Sequence, residues 1–154
     1  ISKDPRFVSG LMLYWAEGTK NSITAITNSD PRIIKFMTQW LRDFFGIKTE
    51  HIGLALQLHP DQNEDDIKNY WSVITKIPVV NFRKSYIKPN GSGYRNHVLH
   101  YGTAKLVVRK KGSTYLLFKI LGAINGFLNL TINEPINPKN WMSVLSYAKE
   151  YQMK

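Results

Sequence analysis

Three polar side chains stand where their neighbours suggest chemistry. Glu17 closes the stretch Gly10–Gly18 (GLMLYWAEG), apolar up to that point. A carboxylate in the last turn of a helix opposes the helix dipole, so it is either an incidental helix-end residue or an oxygen donor kept for function. Gln57 falls on the polar side of the alternating run His51–His59, where it could orient a water or simply be an exposed strand glutamine. Lys105, within TAKLVVR, could neutralise a phosphate or be one solvated lysine among many. Other chemistries find little footing. With no cysteine there is no thiol nucleophile, and no Gly-rich phosphate loop or nucleophile elbow is present. His59 and Asp61 lack the spacing of a zinc site.

Charge narrows the field further. The chain carries 21 Lys and Arg against 11 Asp and Glu, a formal net charge of +10. The excess is segregated: from Ile67 to Asn133 there is no acidic residue, while Lys68, Lys76, Arg83, Lys84, Lys88, Arg95, Lys105, Arg109, Lys110, Lys111 and Lys119 all fall there. The bland explanation is a high-pI protein with solvated lysines. Segregation on this scale instead reads as a surface for a polyanion.

The elements that must position these residues follow from periodicity. Asp4 and Pro5 form a cap and first turn for a helix running to Glu17 and stopping at Gly18. Its apolar residues lie on almost every side, which predicts a helix buried all round or packed on a partner helix. Ser22–Asn28 is a β-branched strand, and Asp30-Pro31 opens an amphipathic helix ending at Gly46. His51–His59 predicts a strand with Ile52, Leu54, Leu56 and Leu58 facing the core. After an acidic turn at Pro60–Asp66, a helix runs from Ile67 to about Ile77 and is stopped by Pro78. Val79–Ile87 and Gly102–Arg109 predict two strands paired as a hairpin across the basic loop Lys88–Tyr101. A helix from Ser113 to about Ile124, an apolar stretch after Gly126, a turn at Asn133–Lys139 and a closing helix at Trp141–Tyr151 complete the chain.

The length of 154 residues suits one α/β (α+β) domain, spanning 1–154, that buries roughly 70 per cent of its unfolded surface without disulfide or metal. Composition is ordinary for a globular protein, and no apolar run approaches the ~20 residues of a membrane span. No membrane partner is expected, and the lack of cysteine suits a cytoplasmic, intracellular setting. The chain opens on Ile1 rather than Met, which suggests a piece of a longer protein.

GLMLYWAEG, then a strand, then TNSDPRIIKFMTQWLRDFFGI, resembles LAGLIDADG (homing endonuclease-like) domains, in particular single-motif bacterial and archaeal proteins often fused to a helix-turn-helix. LHPDQ at Leu58–Gln62, the Tyr70-Trp71 helix, FRKSYIKP at Phe82–Pro89 and YGTAKLVVR at Tyr101–Arg109 extend the resemblance over most of the chain. It implies an antiparallel sheet saddle with helices on one face, and a motif helix whose terminal acid, here Glu17, binds Mg²⁺ beside the scissile phosphate. It further implies a homodimer through the 7–17 helix; in such a site Gln57 and Lys105 are the candidates that could orient a water and neutralise the phosphate. Two positions depart from the motif: Trp15 replaces its first acid, and Met12 stands where a small residue allows close helix packing. Ile120–Leu128 (ILGAINGFL) is a faint second echo with Phe127 in the acidic place; an apolar helix explains it equally well.

These readings converge on a double-stranded DNA-binding protein. Arg83 with Ser85, and Lys105 with Arg109, alternate along their predicted strands, so each pair should share a face, and the resemblance implies that such a face reads the major groove. Lys84, Lys88, Arg95, Asn96, His97, His100, Lys110 and Lys111 would flank it on phosphates. Two outcomes stay open, a Mg²⁺-dependent site-specific endonuclease and a non-catalytic DNA-binding regulator derived from one. An RNA-binding protein using the same basic face is the third reading.

Overall fold

The computed structural model describes residues 4–89, 99–109 and 112–131. Their order is α1 (Pro5–Glu17), β1 (Ala25–Asn28), α2 (Pro31–Phe45), β2 (Ile52–Leu58), α3 (Glu64–Thr75), β3 (Tyr86–Ile87), β4 (Thr103–Val108) and α4 (Ser113–Thr131). This is a mixed α+β chain that divides into two compact units. One takes the described residues up to Thr24 and from Gly112 onward; the other begins at Ala25 and includes the whole sheet. Among the described residues no helix is long and apolar enough to cross a membrane. The predicted turn at Asn133–Lys139 and the helix at Trp141–Tyr151 lie outside the described residues.

In the first unit α1 packs against α4. The Asp4 carboxylate accepts the Arg6 N–H at 2.9 Å, and Pro5 occupies the first turn, where its missing donor costs nothing. Of the two expectations for this helix, packing on a partner helix is the one that forms, and burial all round does not. Gly10, Leu11 and Tyr14 are buried, whereas Trp15, Ala16 and Glu17 are exposed. The apolar residues cover more of the helix than one packing partner can shield. Gly18 stops the helix by proximity, since its backbone is extended and a Cβ there would stand 2.6 Å from the Tyr14 carbonyl. The helix predicted to end near Ile124 continues through Gly126 to Thr131. Leu117, Ile120, Leu121, Ile124 and Leu128 form its buried stripe, and burial outweighs the propensity cost of an internal glycine. Its start is tied down locally: Thr24 Oγ1 donates to the Ser113 carbonyl at 2.7 Å, and Thr114 Oγ1 to the Ser22 carbonyl at 2.7 Å.

The second unit is a four-stranded sheet of order β1-β4-β2-β3, with α2 packed on β1 and β4, and α3 on α2. Ile52, Leu54, Leu56 and Leu58 are buried as the alternation requires, joined by Ile26, Ala104 and Leu106 from the neighbouring strands. Ile34, Met37, Trp40 and Leu41 of α2, and Ile67 and Trp71 of α3, complete this core. Gly46 takes the left-handed conformation, φ 60°, that ends α2 and returns its N–H to the Arg42 carbonyl at 3.1 Å. The stretch expected as an acidic turn is one at Pro60–Gln62, where the Gln62 N–H donates to the His59 carbonyl at 3.1 Å, but Glu64–Asp66 form the first turn of α3. Asn63 caps it, and Glu64, Asp65 and Asp66 sit where carboxylates favour the dipole.

The predicted hairpin of Val79–Ile87 with Gly102–Arg109 does not form, and the sheet is mixed rather than antiparallel. Val79–Asn81 is a 3₁₀ turn, and only Tyr86–Ile87 remains as β3, parallel to β2 in the register Gln57–Tyr86 and Leu58–Ile87. The cause is topological. A helix, α3, separates β2 from the following strand, and a helical crossover returns the chain in the same direction, as a parallel pairing needs. β4 then enters between β1 and β2, antiparallel to both.

Candidate nucleic-acid interface

The register fixes which side chains share the face of the sheet opposite the Ile26, Leu54 and Leu106 core. Cross-strand partners point the same way, so Thr27, Lys105 and Ala55 form one row and Thr103, Gln57 and Tyr86 the next. All six are partly or fully exposed. Gln57 and Lys105 are thus diagonal neighbours on one surface, about 7–8 Å apart by ordinary sheet geometry. At the other end of this face Ala25, Val107 and Gly53 are buried. Arg109 lies over Gly53, where a Cβ would come within 2.8 Å of its Nε and of the Asn81 carbonyl. That close approach is why position 53 has no side chain, and it carries the Arg109 charge onto the same face as Lys105.

The flank beyond β3 is cationic as well, though not as alternating strand residues. Arg83, Lys84 and Ser85 precede β3. Arg83 donates its N–H to the Leu54 carbonyl at 2.8 Å, and Lys88 donates its own to Leu58 at 2.9 Å, so the backbone is anchored while Arg83 and Lys84 are exposed and Lys88 is half-buried. Ser85 is corrected: it is buried rather than facing outward beside Arg83. It belongs with Glu64, whose carboxyl is held below the usual range first by the Lys68 ammonium at 2.6 Å and then by Ser85. His100 is exposed beside Tyr101, which stacks on Tyr70 with ring centroids 3.5 Å apart. The Gln62 amide donates to the Leu99 and His100 carbonyls at 2.7 and 3.1 Å, fixing that turn against the end of β2. Arg95, Asn96, His97, Lys110 and Lys111 lie outside the described residues. Thr27, Thr103 and Tyr86 are surface members that sequence reasoning missed. Only the pairing register could have shown them.

Glu17 belongs to the other unit and is exposed at the end of α1. Lys20 folds back on this helix end, donating from Nζ to the Gly18 carbonyl at 2.5 Å and to the Tyr14 carbonyl at 3.3 Å. Burial pushes the Lys20 pKa below the usual ammonium value, and the Glu17 charge partly restores it. A cation from the chain itself therefore compensates both the dipole and the carboxylate. Mg²⁺ demands a near-octahedral oxygen set, usually one or two carboxylates with waters and substrate phosphates. Here the ammonium holds the Gly18 and Tyr14 carbonyls, leaving Glu17 as a single carboxylate next to a positive charge. Among the described residues no three His, Cys, Asp or Glu converge. Within one chain this helix end holds an ammonium and offers a single carboxylate; the second carboxylate of the expected metal site would come from a partner chain.

Comparison with known proteins adds no family to these observations: no family model, no curated protein and no solved structure matches the chain.

Proposed function

We propose that this chain binds double-stranded DNA through the polar face of its sheet, as a LAGLIDADG-like DNA-binding module that holds DNA without cutting it. The observation that carries the reading is the two-row surface Thr27, Lys105, Ala55 and Thr103, Gln57, Tyr86, flanked by Arg83, Lys84, Lys88 and Arg109. It is partly to fully exposed and holds hydrogen-bonding groups at regular strand spacing with no acidic side chain in either row. Such a surface suits the major groove, where strands present donors and acceptors to base edges while neighbouring cations touch phosphates. The regulator reading is favoured over the endonuclease by Lys20, whose ammonium rests on the carbonyls beside Glu17 and would set a like charge next to a metal there. A homodimer through α1 would use its exposed last turn, around Trp15, and sedimentation velocity tests it.

The deciding experiment incubates the protein with random-sequence duplex and with supercoiled plasmid, in Mg²⁺ or EDTA, beside Glu17→Gln. Duplex binding that is equal in Mg²⁺ and EDTA, and unchanged in Glu17→Gln, is the expected result. Metal-dependent nicking that disappears in Glu17→Gln would restore the endonuclease. A preference for structured RNA over duplex DNA would sink both.

A further inference from the structure

The same unit carries a second cationic surface, formed by helices α2 and α3. Along α2, Arg32, Lys35, Gln39 and Arg42 recur at intervals of three and four residues, so they line one stripe of the helix. With Lys76 at the end of α3 they border an open cleft of about 400 Å³, the size range of small-molecule sites. Phe36 and Ile74 give its wall an apolar part. Among the described residues no acidic one lines the cleft.

Two details set these residues apart from solvated surface charges. Arg42 is pinned, its guanidinium donating to the Thr75 carbonyl at 3.1 Å and the Lys76 carbonyl at 3.2 Å. Burial pushes its pKa down, and the Asp43 carboxylate, which accepts from Gln39 at 2.7 Å, pulls it up. Arg42 is thus a rigid, partly desolvated cation. Lys76 is the second: it adopts φ 54°, a left-handed helix-ending conformation that glycine takes without strain. A lysine there carries a backbone cost for no cap that glycine would not provide, and it adds a positive charge to the lining of the cleft.

We propose that this cleft binds a phosphate-bearing small molecule, with the phosphates between Lys35, Arg42 and Lys76 and an attached ring against Phe36 and Ile74. The charges converge on a compact volume, which suits a multiply charged group of a few atoms. The apolar wall gives a reason for a ring to add affinity. Arg32 contributes less, because its guanidinium already pairs with Asp30 at 2.6 Å. The site is independent of the DNA reading, since its ligand is read out without DNA.

Isothermal titration of the chain with inorganic pyrophosphate and with ADP, at low salt, tests it. One-to-one binding of both is expected, with ADP tighter than pyrophosphate. Lys35→Gln and Lys76→Gly should each weaken both ligands by about tenfold, while Lys119→Gln, which removes a charge on α4, leaves them unchanged. Lys76→Gly guards against a folding artefact, because relief of the left-handed backbone should keep or raise the melting temperature while affinity falls. The proposal is overturned if neither ligand binds below about 1 mM, or if the cleft variants bind as well as the original chain. Equal affinity for ADP and pyrophosphate overturns the ring contact. Cleft variants that lose duplex DNA binding while keeping ADP binding would reassign the surface to nucleic acid.

Discussion

The sheet face and the α2–α3 cleft belong to one unit and are both cationic, yet their geometries select different anions. On the sheet face the positive groups spread along an exposed surface: Lys105 within the rows, Arg109 over Gly53, and Arg83, Lys84 and Lys88 along the β3 flank. Spacing of that kind matches an extended polyanion whose phosphates repeat, and its affinity comes from released counterions. In the cleft the cationic residues line about 400 Å³, and Arg42 is held by two carbonyls. Convergence with preorganisation suits a compact anion instead. Net charge alone would not separate the two; backbone geometry does.

The largest way to break this comparison is salt. If about six phosphates are contacted, duplex affinity should fall ~10³-fold between 50 and 200 mM salt, whereas ADP affinity should fall by less than about tenfold. Fluorescence anisotropy and titration calorimetry across that range would show it, and parallel slopes would erase the distinction. Next is Gly102→Ala. Its φ of +62° and the 2.5 Å approach of a Cβ to the Gln57 carbonyl should cost about 2–3 kcal/mol in urea unfolding and disturb the end of the sheet face. A smaller effect is expected for Lys105→Gln, which should lower the salt slope of duplex binding by about 1. An unchanged slope would remove Lys105 from the interface. Lys76→Gly should stabilise the fold by about 1 kcal/mol while weakening ADP, a trade measured by thermal melts beside titrations.

The smallest effect is on acid stability. The carboxyl of Glu64 is held below its ordinary range by Lys68 and Ser85, so it stabilises the fold above the unfolded carboxylate pKa, and that contribution is lost as pH falls through the lower folded value. Glu64→Gln should therefore be less stable than the original chain at neutral pH, with the difference closing below the ordinary glutamate pKa of about 4.3. Melts between pH 2 and 7 test this. A gap that persists in acid would assign the Glu64 effect to packing.

Local signals in the sequence were enough for several elements. Asp30-Pro31 and Gly46 bounded α2, and the alternation from Ile52 to Leu58 identified both β2 and its buried side. Asp4, Pro5 and Gly18 bounded α1. Hydrogen bonds and burial within a few residues decide such features, so they are written where they act. Ser85 shows the limit. It alternates with Arg83 in the sequence, but the 3₁₀ turn at Val79–Asn81 shortens the strand and Ser85 turns inward beside Glu64. Lys76 likewise reads as one more cation of the basic half until its backbone angle is known.

For the candidate sites, the sequence by itself determined the ingredients: an excess of Lys and Arg without acids from Ile67 to Asn133, and Glu17 at the end of an apolar helix. Only the tertiary structure decided their company. Placing β4 between β1 and β2 brought Lys105 beside Gln57, and packing α2 with α3 brought Lys35 and Arg42 to Lys76. The return of Lys20 to the Gly18 carbonyl gave Glu17 an ammonium neighbour. Periodicity identifies the faces of single elements, but strand order, register and the path of a returning side chain depend on which contacts between elements form together. Those contacts are properties of the packed core.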